Sequence, residues 1–194
     1  VNGSYEAAVI GASAGGGKAL DGILGRLPAG FTLPLLIVQH LHPTDDGCFA
    51  EQLAARNNRC VVSPCDKQRI EPGWIYVAPP DYHMLVEKSR SIALSVDEKV
   101  MWSRPSIDVL FDSAARVWKQ GLIAILLSGA NSDGAEGMRT VWSFGGLTIA
   151  QDPLTAEHPV MPQAAIELGV VQEVLDIPQI AGRLAELAKE GNRV

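Results

Sequence analysis

Residues 33–39, Leu-Pro-Leu-Leu-Ile-Val-Gln, form a nearly continuous apolar run. A short strand with apolar side chains on both faces has to be covered on both, which is the situation of a parallel strand between two layers of helices. The flanking segments make the same demand. Residues 5–10 read as a short buried strand running into a glycine-rich turn. Residues 16–27 read as a helix, with Leu20, Ile23, Leu24 and Leu27 at helical spacing, until Pro28-Ala29-Gly30 breaks it. Residues 48–56 suit a helix and residues 60–63 a short strand. In the middle, residues 75–78, 84–87 and 91–95 are short strand-like pieces split by turn residues, a pattern that predicts an antiparallel hairpin region. The alternation then resumes: helix 106–119 with Ser106 as N-cap, strand 122–127, helix 133–143, strand 147–150, helix 161–168, strand 170–174 and helix 177–190. Strands alternating with helices imply right-handed βαβ units. The predicted class is therefore α/β: a three-layer, doubly wound, mostly parallel sheet with an antiparallel hairpin.

The chain has 194 residues, which fit one domain, and no internal repeat, low-complexity tract or linker divides it. A net charge of −6 argues against a nucleic-acid-binding surface, so no nucleic acid is expected as partner. Three cysteines, Cys48, Cys60 and Cys65, do not make a disulfide framework; free thiols in a reducing compartment are expected, and no Cys/His cluster has zinc-ligand spacing. No apolar run approaches the roughly 20 residues of a membrane span, so no membrane insertion is expected. Val1-Asn2-Gly3-Ser4 has neither a basic nor an apolar signal-peptide region, and a cytoplasmic location follows as an expectation. The absence of an initiator Met leaves room for residues removed upstream.

In sheets of this kind ligands bind beyond the carboxyl ends of the strands. Three polar clusters fall there: Ser13 after the first strand, Gln39-His40 after the second long one, and Ser128 to Gly134 after residues 122–127. Their chemistry is complementary. A serine hydroxyl is a weak nucleophile until an imidazole takes its proton, and a buried carboxylate fixes the tautomer and stabilises the imidazolium. Ser13, His40 and Asp133 supply these three types. The glycines around Ser13 permit a tight strand-to-helix turn, and N–H groups at a helix start could stabilise an oxyanion. The bland reading of Asp133 is an N-cap for the helix that follows it.

Gly11-Ala12-Ser13-Ala14-Gly15-Gly16-Gly17-Lys18 also invites other motifs. A P-loop would need Gly at position 12, which is Ala, and Ser or Thr after Lys18, where Ala19 stands. A dinucleotide-binding turn would need an acidic residue at the end of the next strand, where Gln39-His40 stand, and no tyrosine is followed four residues later by Lys. The G-x-S-x-G elbow of α/β-hydrolases does match residues 11–15, but that superfamily runs Ser, acid, His, and His158 is the only late histidine.

Together with segments further along, these residues resemble the catalytic domain of the CheB-type chemotaxis protein-glutamate methylesterases. The matching segments are Val9 to Gly16; Val38-Gln39-His40-Leu41; Tyr76 to Pro79 with His83-Met84; Arg104 to Phe111; Leu127-Ser128-Gly129 with Ser132 to Ala135; and Ile149 to Asp152 with Met161-Pro162. The resemblance implies a triad of Ser13, His40 and Asp133, and hydrolysis of glutamate methyl esters on the methylated cytoplasmic helices of chemoreceptors. It also implies related glutamine deamidation and no metal or organic cofactor. Relatives often carry an N-terminal receiver domain. Residues 1–194 read as a single catalytic domain without a receiver domain, either a stand-alone form or an excised domain, and an upstream regulatory domain or a kinase is a candidate partner. Three departures stand out: Leu41-His42-Pro43 inserts a residue after the histidine, Gly129-Ala130-Asn131 replaces the usual Gly-Met-Gly, and Val160 replaces Gly before Met-Pro. The alternatives are a non-catalytic partner-binding module with the same fold, or an esterase with another substrate.

Other residues have two readings each. His83 lines the cleft or lies exposed in a turn. Arg104 guides an acidic receptor helix or is a surface residue. Trp74, Trp102, Trp118 and Trp142 are expected to pack structurally, and Lys18 to be a solvated helix residue.

Overall fold

The computed structural model describes residues 4–41 and 48–190. Along the chain run β1 (Ala7–Ala12), α1 (Gly16–Leu24), β2 (Leu35–Gln39), α2 (Phe49–Asn57), β3 (Val61–Val62), β4 (Ile75–Val77), β5 (His83–Val86), β6 (Ile92–Ser95), α3 (Ile107–Trp118), β7 (Leu122–Leu126), α4 (Ala135–Ser143), β8 (Leu147–Gln151), α5 (Val160–Glu167), β9 (Glu173–Leu175) and α6 (Ile177–Glu190).

Seven strands form one parallel sheet in the order β3-β4-β2-β1-β7-β8-β9, and β5 and β6 pair antiparallel as a separate hairpin. The period of two along each strand divides its side chains between two cores. Ala8, Ile10, Leu35, Ile37, Ile123 and Ile125 face one core with residues of α1, α2 and α6. Val9, Leu36, Val38, Ala124 and Leu126 face the other, with residues of α3, α4, α5 and the hairpin. The apolar run at residues 33–39 is thus buried on both faces, as its composition demands.

The middle of the chain differs from the expectation. Residues 75–78 do not belong to an antiparallel region: β4 enters the main sheet parallel to β2 and β3. Its three residues are all buried, and so short a run carries no periodicity to distinguish an internal strand from a hairpin arm. The last strand begins later than expected, at Glu173, because the chain at Val170 packs into the second core before it joins the sheet. No disulfide joins Cys60 and Cys65, both free thiols. No helix among the described residues is long and apolar enough to cross a membrane.

Candidate active site

β1 is the strand from which the sheet grows in both directions, with β2 on one side and β7 on the other. The loops beyond its carboxyl end part there, and a crevice opens of the kind that holds ligands in doubly wound sheets. Ser13, His40 and Asp133 all lie on this rim.

Ser13 is fastened through its backbone. Its N–H donates to the Ser128 carbonyl at 2.9 Å, and its own carbonyl accepts from the Gly16 N–H at 2.8 Å. The second bond closes a four-residue turn with Gly15 at its third position, φ 76° and ψ −7°. Those angles define a type II turn, in which that position favours glycine. A Cβ there would also lie 2.8 Å from Ser128 Oγ. Gly11 serves differently from the expectation that it shapes the turn. It lies inside β1, and its missing side chain makes room for Ile107 at the start of α3.

His40 stands one step beyond the Ala12–Gln39 register pair and donates its N–H to Ala12 at 3.0 Å, which puts it beside Ser13. Adjacent strands lie about 4.8 Å apart, a gap that a serine and an imidazole side chain can bridge. His40 Nε2 is 2.9 Å from Asp133 Oδ2. In the neutral ring the Nε2–H donates to the carboxylate, so the Nδ1 lone pair is left to accept a proton. Among the described residues the Ser13 hydroxyl makes no hydrogen bond. Ser13 and His40 are thus backbone neighbours, with no hydrogen bond between their side chains.

Asp133 is fully buried, and its oxygens accept four hydrogen bonds. Oδ2 accepts from His40 and, at 2.7 Å, from the Ile107 N–H. Oδ1 accepts from Ser106 Oγ at 2.9 Å and the Asp108 N–H at 3.1 Å. Burial alone would raise the pKa of this group, but the bonds from His40, Ile107 and Asp108 outweigh it and hold the carboxyl below the usual carboxylate range. Asp133 therefore caps a helix, but not the one that follows it. It caps α3, while Asp108 in the first turn of α3 accepts from Gly134 at 2.9 Å and Gly137 at 2.6 Å and so caps α4. The two helices exchange carboxylates. Ser106 is the N-cap residue of α3 as expected, yet its hydroxyl is spent on Asp133. Asp108 bears the cost of the exchange. Burial, offset in part by the Gly137 N–H, and the nearby charge of Asp133 push it up to about 6.

Gln39 falls in a rim cluster and a matching segment in the sequence, but the sequence assigns it no role of its own. It is buried, and its Nε2 donates at 2.8 Å to both the Ser13 and the His40 carbonyls. One carboxamide thus ties the backbones of Ser13 and His40 together. The usable signal was a polar residue ending an otherwise apolar strand, since a buried amide has to find partners. Ser128 supports the same turn from the other side: its hydroxyl donates to Ala14 O at 2.7 Å and accepts from the His158 N–H at 2.9 Å.

His83 is neither in the cleft nor exposed. It is buried, accepts from the Ser106 N–H at 3.2 Å through Nδ1, and donates from Nε2 to Glu98 O at 3.0 Å. Arg104 turns inward to the chain, donating to the carbonyls of Val96 at 2.9 Å and Asp97 at 3.1 Å. Of the four tryptophans only Trp118 packs in the core, and Trp102 is 94% exposed. Lys18 is exposed, as expected. Asn131, one of the departures, accepts the Asp133 N–H at 3.2 Å and so steadies the backbone of Asp133. The Leu41-His42-Pro43 departure lies in part outside the described residues. A cavity of about 230 Å³ adjoins His40, bounded also by Gln39, Lys99, Trp102, Ser103 and Arg104. The N–H groups of Ala14, Ala130 and Asn131 donate to no acceptor among the described residues.

Comparison with known proteins places this arrangement among relatives. The family model described as CheB methylesterase matches residues 8–184. A Leptospira interrogans protein, named provisionally as a protein-glutamate methylesterase/protein-glutamine glutaminase, is 47% identical over 178 residues, covering 92% of each chain. A protein of Pseudomonas aeruginosa with that activity in its name is 39% identical, over 95% of this chain but 54% of its own length; beside relatives of that size the chain spans about half. The crystal structure of the Thermotoga maritima CheB methylesterase catalytic domain superposes with a TM-score of 0.89 at 34% identity, covering 95% of this chain and all of that one.

Proposed function

The chain belongs to the CheB methylesterase family, and from that premise we propose that it hydrolyses glutamate γ-methyl esters on chemoreceptors by acyl transfer to Ser13. Ser13 Oγ attacks the ester carbonyl carbon while its proton passes to His40 Nδ1. Asp133, held ionised, keeps the ring oriented and stabilises the imidazolium. The negative charge that develops on the carbonyl oxygen meets N–H groups that have no acceptor among the described residues, at Ala14 on one side and Ala130 and Asn131 on the other. Collapse of the tetrahedral intermediate breaks the bond to methoxide, which takes the proton from His40 and leaves as methanol. Water then attacks the glutamyl-serine ester, gives its proton to His40, and the reverse sequence frees a glutamate carboxylate and Ser13. A glutamine side chain enters by the same route with ammonia leaving, which suits the double name that the relatives carry.

The observation that carries this reading is the imidazole–carboxylate pair, buried at one end and open at the other, one register step from a serine at the switch point. In the same reading the matched residues are the catalytic unit, its partners are the cytoplasmic helices of receptors, and it works in the cytoplasm under a receiver domain or kinase acting from outside these residues. Methanol release from a methylated receptor tests the proposal. The intact protein should exceed Ser13→Ala by several orders of magnitude, and equal, background-level rates would sink it.

A further inference from the structure

We infer that the tight turn Val100–Ser103, which follows the β5–β6 hairpin and carries Met101 and Trp102 at its tip, is a docking element for the substrate protein. It receives the apolar stripe of the receptor helix that carries the ester, while Lys99 beside it faces that helix's acidic side chains. The inference rests on the proposed methylesterase reading and adds to it a recognition surface outside the reacting groups.

The turn itself is the first reason. Val100 and Ser103 exchange two backbone hydrogen bonds, 3.1 and 2.8 Å, which leaves Met101 and Trp102 as a two-residue loop. Their φ values are 50° and 64°, both in the left-handed region. A loop of this type favours Asn, Asp and Gly, and large side chains are strained in it. Met101 and Trp102 gain no burial in return, being 52% and 94% exposed. A strained turn that holds a bare indole in solvent is a cost to the isolated fold, and contact with another molecule is what offsets it.

The anchorage is the second reason. The base of this turn is held by His83 to Glu98 O and by Arg104 to the Val96 and Asp97 carbonyls. His83 in turn accepts from the N–H of Ser106, whose hydroxyl bonds to Asp133. The tip is therefore fixed in position relative to the proposed acid. The cavity between tip and His40 is walled by Lys99 and Arg104, with Asp81 as the one acidic wall residue among the described residues, in a chain whose net charge is −6. A glutamyl ester on a helix has its neighbours three and four residues away on the same face, about one turn from the reacting side chain. With the ester at Ser13, such neighbours reach toward Trp102, and unmethylated glutamates or the carboxylate product meet the cationic wall.

Two variants test this: Trp102→Ala, and Met101→Asn with Trp102→Gly, which gives the turn the residues that its geometry favours and so protects folding. Binding is measured in a Ser13→Ala background, where no turnover occurs, by titrating the cytoplasmic fragment of a methylated chemoreceptor. Both variants should weaken the Kd at least tenfold, and Lys99→Glu should weaken it further. In the active protein the loss should fall on KM more than on kcat. Unchanged affinity of the folded double variant overturns the inference, as does absence of binding by the Ser13→Ala protein itself, or a concentration-dependent dimer that the variants abolish while leaving receptor affinity alone. Failure of the methylesterase reading shows separately, as methanol release no faster than that of Ser13→Ala.

Discussion

Replacing Asp108 by Asn removes a charge from the exchange between α3 and α4 but keeps the oxygen that accepts from Gly134 and Gly137. Asp108 is pushed up to about 6, first by burial and then, against the bonds from α4, by the charge of Asp133. Its value in the unfolded chain is near 3.8. A shift of that size corresponds to roughly 3 kcal/mol, and screening of this half-buried group by solvent reduces it to about 1–2 kcal/mol. A folded-state pKa raised above the unfolded one favours the fold while the group is neutral. That contribution is complete below the unfolded value and is lost as pH rises through about 6. Near neutral and alkaline pH, then, wild type carries a buried charge that Asp108→Asn lacks. The variant should be more stable there by about 1–2 kcal/mol, or roughly 2–8 °C in Tm for a chain of this size. The gain should vanish on acidification to about pH 4. Asp108→Ala loses the acceptor as well and should lie about 1 kcal/mol below Asp108→Asn at either pH. Thermal and urea unfolding of the three proteins at both pH values decide the matter. If Asp108→Asn is less stable than wild type at neutral pH, the carboxylate's attraction to the start of α4 exceeds its cost, and the reasoning is refuted.

Asp133→Asn should lower the rate of methanol release by about 10⁴-fold and destabilise the fold by about 1–3 kcal/mol, because an amide cannot accept all four donors. Since the folded pKa of Asp133 is depressed, its stabilisation is present above the unfolded value and lost as pH falls through the folded one; the stability gap between wild type and Asp133→Asn should close in that acid range, as urea titrations would show, and a gap independent of pH would contradict it. Gln39→Met keeps the length of the side chain but removes both donors to the Ser13 and His40 carbonyls. Its kcat for ester hydrolysis should fall by roughly 10- to 100-fold with KM little changed, as displacement of reacting groups does, and an unaltered kcat in steady-state assays would deny Gln39 a positioning role.

Hydrophobic pattern made most of the sheet legible. The strands that lead to the rim are continuous apolar runs, and each ends where a polar residue appears, so Ser13, Gln39-His40 and the loop bearing Asp133 could be placed on one edge without coordinates. β4 could not be assigned this way, because three apolar residues carry no period. The partners of Asp133 were illegible for another reason. Which helix a carboxylate caps is local only when the cap precedes its own helix, and here α3 and α4 cross so that each accepts the other's. Tertiary packing decided it, through Ile107 fitting over Gly11 and Gly134. His83 and Trp102 were misjudged for complementary reasons. Polarity predicts exposure for one and size predicts burial for the other, whereas β5 buries the His83 imidazole and the separate Val100–Ser103 turn lifts the Trp102 indole into solvent.

The exchanged carboxylates have a consequence for how the assembled site can be observed. Four amides, those of Ile107, Asp108, Gly134 and Gly137, are protected only when both helix starts and both aspartates are in register. Their hydrogen exchange with solvent then reports a single opening event shared by two helices that are distant in the chain. The four should exchange at one common rate in the wild type, and any ligand that engages His40 and Asp133 together should slow them as a group, which gives the site a built-in gauge of its own readiness that requires no substrate turnover.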